Sequence, residues 1–272
     1  MKRISRITVQ KNNPHRFNIF LTDGKEETFG FGVDEDVLIS HRLMKNQELD
    51  EGLIKKLLQE DSLQKTYAMA INYLSYRMRS EKEIKDYLMK KEVNPEHIPI
   101  TIKRLKDEKL LDDRQFAQAF IQTRLQTSSK GPVLIQNELR AKGVSEHICQ
   151  DVLSIYSYDK QYEKALKWAE KRSASGKKQS HQMQIQQLRG SLIRKGFTQD
   201  VIQDVIRDIQ HHKDDEVEWE AVMIQGNKLL RRYTGKFTGF ELQAKLKEGL
   251  FRRGFTFDLI QKYIMEYVVE DE

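Results

Sequence analysis

LIRKGFTQD, residues Leu192–Asp200, decides the fold. A basic pair, Arg194 and Lys195, precedes Gly196 and Thr198, which invites comparison with a phosphate loop. A P-loop needs the order G-x-x-x-x-G-K-[ST] after a strand. Here lysine precedes glycine and helical patterns lie on both sides. The phrase also recurs, as LRAKGVSEH at 139–147 and LFRRGFTFD at 250–258, with a looser MKKEVNPEH at 89–97. Three copies read better as punctuation than as three phosphate sites.

Each position in the phrase has a folding role. If a helix ends at Lys142, Gly143 is the residue that turns left-handed at little steric cost. Leu139 and Val144 then make the apolar clasp of a Schellman stop, as do Leu192 with Phe197 and Leu250 with Phe255. Ser145, Thr198 and Thr256 are placed to cap the next helix, each worth about 1 kcal/mol. Lys142, Lys195 and Arg253 lie where a cation favours the helix dipole. The first copy has Glu92 where the others have Gly143, Gly196 and Gly254. A looser or differently shaped corner is expected there, with Asn94 as N-cap and Pro95 at the first helical position.

Aligning on Leu88, Leu139, Leu192 and Leu250 exposes the repeat. Four residues earlier stand Ile84, Ile135, Leu188 and Leu246, on the same helix face. The corners Glu92, Gly143, Gly196 and Gly254 are 51, 53 and 58 residues apart. A longer amphipathic stretch precedes each unit and a shorter one follows it. Ser80-x-x-Glu83 is a capping box, Asp112-x-x-Gln115 resembles one, and Lys130-Gly131-Pro132 breaks the chain before VLIQNEL. The expectation is a mainly α protein of tandem three-helix repeats forming an elongated curved array. The repeats would span 61–111, 112–157, 158–212 and 213–272.

Residues 1–60 differ. ISRITVQ, RFNIFLTD and EETFGFGV alternate like strands, with turn signals at Asn12-Asn13-Pro14 and Asp23-Gly24. They predict a small N-terminal antiparallel β/α region. Two separate helices should follow, one over VDEDVLISHRLM capped by Asp34, the other over ELDEGLIKKLLQED.

Composition fits a solvated helical chain. Of 272 residues, 32% are charged, mean hydropathy is −0.69, and only 4 are proline. The single cysteine, Cys149, excludes an internal disulfide and any multi-cysteine zinc site. MKRISRITVQ lacks a signal-peptide apolar run, and no stretch has the length of a membrane span. A cytoplasmic protein is expected. The net charge of +6 is uneven. Residues 61–111 carry eleven basic against eight acidic residues, and 158–212 eleven against six, whereas 213–272 carry ten against twelve.

Catalytic signatures are missing: no G-x-S-x-G, H-E-x-x-H or G-x-G-x-x-G. Adjacent His211 and His212 point apart on a helix and suit a surface better than a metal. His97 and His147 follow glutamates at equivalent positions and read as surface or cap residues. Asp112-Asp113 reads as a cap before a metal pair, and Cys149 as a buried thiol. No cofactor, metal or small-molecule substrate is expected. The cations that recur near helix ends are the binding candidates: Arg77, Arg79, Lys90, Lys91, Arg124, Lys130, Arg140, Lys142, Arg194, Lys195, Arg252 and Arg253. The bland reading is a solvated, dipole-matched surface. The sharper one is a basic stripe matched to phosphates or to an acidic filament. On that reading, reversing Arg140 and Lys142 should weaken binding without unfolding, because both should be exposed.

YRMRSEKEIKDYLMKK (76–91), LKDEKLLDDRQFAQAFIQTRL (105–125) and KGPVLIQNELRAKGV (130–144) together resemble the RecX family of recombination regulators. The carrying features are the basic residue before Ser80-x-x-Glu83, the step into Asp112-Asp113-x-x-Phe116-Ala117, and Lys130-Gly131-Pro132 running to Lys142-Gly143. The resemblance implies a non-enzymatic protein in DNA repair, recombination and the SOS response. It implies a RecA recombinase filament as partner, with ATPase and strand exchange lowered, and in some members contact with DNA. Short members have three units; this chain has four. A direct DNA-binding repeat protein and an unrelated α-solenoid scaffold are the alternatives.

Overall fold

A computed structural model of the chain describes residues 2–173, 178–210 and 215–268. The His211-His212 pair lies outside the described residues. The chain packs as two compact units: Met1–Phe116 with Lys142–Val144, and Ala117–Ala141 with Ser145–Glu272.

The N-terminal strands are β1 (Lys2–Gln10), β2 (Asn13–Thr22) and β3 (Glu27–Asp34), joined by a short β4 (Glu48–Leu49). They form an antiparallel sheet in the order β3-β2-β1-β4. Asn13 and Pro14 belong to β2 rather than to the turn. Pairing with β3 begins only at Arg16, so the missing amide of Pro14 breaks no ladder bond there. Ile4, Ile19, Leu21, Phe31 and Val33 bury one face of the sheet.

Asp34 caps α1 (Glu35–Ser40), its carboxylate accepting from the Asp36 amide. The second expected helix is not separate. ELDEGLIKKLLQED and LQKTYAMAINYLSYR form one 25-residue helix, α2 (Glu51–Ser75), capped by Asp50. No glycine or proline interrupts 53–75, so nothing in the backbone stops it at 60.

Three-helix units follow. The end of α2 packs with α3 (Glu81–Lys90) and α4 (His97–Asp107). Next come α5 (Asp113–Thr127), α6 (Pro132–Ala141) and α7 (Glu146–Leu153). Then follow α8 (Tyr158–Ser173), α9 (His181–Lys195) and α10 (Gln199–Gln210), and finally α11 (Asp215–Tyr233), α12 (Gly239–Phe251) and α13 (Phe257–Tyr267). The four aligned Ile/Leu pairs are all buried, as are Val144, Phe197 and Phe255.

The corners behave as helix stops. Gly143, Gly196 and Gly254 have φ of +83°, +80° and +81°. At Gly196 the Phe197 amide donates to the Leu192 carbonyl at 3.3 Å and the Gly196 amide to Ile193 at 2.9 Å. At Gly254 the same pair of bonds runs from Phe255 to Leu250 and from Gly254 to Phe251. Both are Schellman stops. The first corner shares the left-handed turn, with Glu92 at φ +55° and its amide donating to Met89 at 2.9 Å, but it lacks the bond from the next amide to Leu88 that completes the stop at Gly196 and Gly254, so it is looser, as expected. There α4 begins at His97, two residues later than expected, and the Asn94 side chain accepts from the Glu96 amide. Ser145 caps α7 as expected. Thr256 holds the N-cap position of α13, but its hydroxyl caps nothing.

The corners also join repeats. The Ser80 hydroxyl, at the start of α3, donates to the Lys142 carbonyl at the end of α6, at 2.6 Å. The Gly131 and Val133 amides, at the start of α6, donate to the Lys195 and Gly196 carbonyls at the end of α9, at 2.7 and 3.1 Å. The Ser180 hydroxyl, at the start of α9, donates to the Arg253 carbonyl at the end of α12. In each joint the positive end of one helix meets the negative end of another, so orphan groups satisfy each other.

Candidate functional site

The twelve candidate cations lie near helix ends, Lys90 and Lys91 at the end of α3 outside the three joints, and their partners separate them. Glu83 is the hub of the first. It accepts from the Ser80 amide to complete a capping box. Its carboxylate also pairs with Arg77 at 3.0 Å and Lys142 at 2.8 Å. Burial acts to raise the Glu83 carboxyl, but the Arg77 and Lys142 hydrogen bonds and the Ser80 amide outweigh it and hold it at about 2. Lys142 is therefore not an exposed binding residue. Its side chain is only 27% exposed and ties the Lys142 corner to Glu83 of α3. Reversing Lys142 tests the fold and not only a partner. Arg140 is exposed, but Glu146 holds it through two hydrogen bonds of 2.5 and 2.7 Å.

Arg124 and Lys130 share Glu138. Lys195 donates to the Ser129 hydroxyl at 2.6 Å and lies 5.6 Å from the Trp168 ring. Arg252 pairs with Glu248. Arg253 bonds to Gln225 and to the Gly249 carbonyl. Arg79 stacks 3.8 Å over Tyr73, which in turn stacks on Tyr87 at 3.9 Å. Three candidates are exposed without a carboxylate partner among the described residues: Lys90, Lys91 and Arg194. These three best fit a surface left for another molecule, because a partner need not break an ion pair to reach them.

Other assignments fare unevenly. Asp112 caps α5, accepting from Arg114 and Gln115, and Asp113 accepts from the Glu81 amide at 2.8 Å. His147 is exposed, but His97 is buried beside Thr66, not on the surface. Among the described residues no group of three His, Cys, Asp or Glu could hold a metal ion, and no helix is long and apolar enough to cross a membrane.

Cys149 is buried. Burial pushes its thiol up, Glu146 adds to this, and Arg140 opposes it. A disulfide reagent at pH 8 should label it on the order of 100-fold more slowly in the native protein than in denaturant. Comparable rates would show the thiol to be accessible.

The sequence reading missed a second set of ties. Tyr67 donates to Glu108, Tyr158 to Asp204 and Tyr162 to Asp208, each linking the first helix of a repeat to its third. The signal was present: Tyr158/Tyr162 and Asp204/Asp208 share the four-residue spacing of one helix face.

A small sheet followed by tandem three-helix units defines a helical-repeat protein. Family models name it more closely. The regulatory protein RecX N-terminal domain matches residues 2–50, and the first and second three-helix domains of RecX match 67–105 and 112–153. The third-domain model matches twice, at 159–206 and 216–264. The chain belongs to the RecX family. A regulatory protein RecX from Oceanobacillus iheyensis is 47% identical over the whole of both chains. One from Halalkalibacterium halodurans is 42% identical over 97% of this chain and 99% of its own. A crystal structure of regulatory protein RecX superposes with a TM-score of 0.68 at 36% identity, covering 75% of this chain and all of that one. The structure of RecX from Lactobacillus salivarius gives 0.54 at 33% identity, over 56% and 98%. Membership in this family of regulatory proteins carries a regulatory role.

Proposed function

We propose that this protein binds the RecA recombinase filament and lowers its ATP hydrolysis and strand exchange. On this reading it acts without catalysis of its own, in the cytoplasm, within DNA repair, recombination and the SOS response. The observation that carries the reading is full-length membership in a family of regulatory proteins, all four helical units included. Charge agrees with it, since the basic excess lies in the first and third repeats, where Lys90, Lys91 and Arg194 stand without ion partners. Contact with single-stranded DNA is the secondary element.

The test is ATP hydrolysis by the recombinase on single-stranded DNA, with the protein added. A fall in hydrolysis and co-sedimentation with the filament are expected. Unchanged hydrolysis without co-sedimentation would overturn the reading, and equal binding to naked DNA would favour a direct DNA binder. Lys90→Glu with Arg194→Glu should raise the half-inhibiting concentration about tenfold at low salt and less at high salt. Thermal stability should fall by about 1–2 kcal/mol only, since both residues are exposed but stand in the last turns of α3 and α9, where a carboxylate opposes the dipole. An unaltered inhibition curve would remove these two residues from the interface.

A further inference from the structure

The three joints share one polarity. The donor side is the start of a repeat's second helix, and the acceptor side is the end of the next repeat's second helix. Four repeats make three joints and leave two sides unused. The unused acceptor side is the end of α3, at Lys91 and Glu92. The unused donor side is the start of α12, at Thr238.

Both unused sides keep the chemistry of a joint. Lys91 aligns with Lys142, Lys195 and Arg253, whose carbonyls accept in the three joints. Thr238 precedes Leu250 by the same interval that separates Ser180 from Leu192. Thr238 holds the N-cap position of α12, but its hydroxyl makes no capping bond, and nearby Phe240 is 86% exposed. Glu92 turns with the left-handed φ of the three glycines.

One feature differs, and it is steric. A Cβ on Gly143 would stand 2.5 Å from the Lys82 Cβ, one on Gly196 2.8 Å from the Leu134 amide nitrogen, and one on Gly254 2.9 Å from the Ser180 hydroxyl. Separations this short are repulsive, so a closed joint excludes a side chain at its corner. Glu92 carries one. A left-handed glutamate is strained, and its charge opposes the dipole at the end of α3. The helix itself gains nothing from it.

We propose that Glu92 is an end-stop, which closes the first repeat of this chain against the fourth repeat of a second copy. The occupant it excludes is the start of α12 of another chain, with Thr238 donating to the Lys91 carbonyl as Ser180 donates to Arg253. Such a contact continues the interface the repeats already make with one another. It is heterologous, so without a stop it would pass from chain to chain, into a ring or an open array. The proposal does not depend on the recombinase as partner.

The experiment compares the full-length chain with Glu92→Gly and Glu92→Ala, by sedimentation velocity over a wide concentration range. Glycine relieves the left-handed strain and alanine keeps the Cβ, so both variants should fold, as circular dichroism would verify. Wild type and Glu92→Ala should keep the mass of one chain throughout. The mass of Glu92→Gly should at least double with concentration, and adding Thr238→Trp should return it to one chain. A Glu92→Gly protein that stays a single chain would overturn the proposal, as would Glu92→Ala assembling equally, or assembly that survives Thr238→Trp.

Discussion

Gly196→Ala should cost about 3 kcal/mol of stability, far more than an alanine at most surface corners. Two effects add. An L-residue at φ +80° loses on the order of 1–2 kcal/mol relative to glycine. The new methyl also stands 2.8 Å from the Leu134 amide nitrogen, which is backbone and yields only if α6 shifts. Overpacking of that kind costs about 1–3 kcal/mol. Urea denaturation of wild type and variant reads the difference. Glu92→Ala is the control, with the same left-handed turn but an exposed corner, and should change stability by under about 0.5 kcal/mol. A loss at Gly196 no larger than about 1–2 kcal/mol would show that conformation alone, and not the joint, makes glycine necessary.

The second large effect is acid loss of stability centred on Glu83. Its folded carboxyl is held at about 2, against an ordinary value of 4.5. Burial works against this, and the bonds from Arg77, Lys142 and the Ser80 amide prevail. Because the folded value is the lower one, the stabilisation is complete above about pH 4.5 and drains away as pH falls towards 2. A shift of that size corresponds to about 3 kcal/mol. Glu81, Glu138 and Asp61 are also held low by ion pairs that outweigh burial, so the whole protein should weaken across this window. The specific test is the difference between wild type and Glu83→Gln. The amide retains a capping acceptor for the Ser80 amide but loses the two ion pairs. It should be less stable by about 2–3 kcal/mol at pH 7, and the gap should close by pH 2. A gap that stays constant with pH would remove charge as the cause.

The repeat was legible because its signals are local. Left-handed corners, caps and buried Ile/Leu pairs each depend on residues within a turn or two of one another. The run from Asp50 to Ser75 was read as two helices because an apolar pattern does not say whether two helical stretches are joined. β4 was missed because two residues carry no periodicity. The surface was legible only in part. Cations near helix ends are visible in sequence, but their partners are not: Lys142 lies 59 residues from Glu83, and Lys195 lies 66 from Ser129. The same limit hid the role of Ser80, read as a cap for its own helix. Its hydroxyl also serves a carbonyl 62 residues away.

The joints set a direction in time. The amides of Gly131 and Val133 find their acceptors only at Lys195 and Gly196, and Ser180 finds its own only at Arg253. A nascent chain is made from the N-terminus, so each repeat emerges with the start of its second helix still facing water. It waits for the ribosome to deliver the next unit, a lag of roughly 3–10 s at about 5–20 residues per second. Each of the first three repeats is thus finished by its successor, and the protein sets from its beginning one unit behind synthesis.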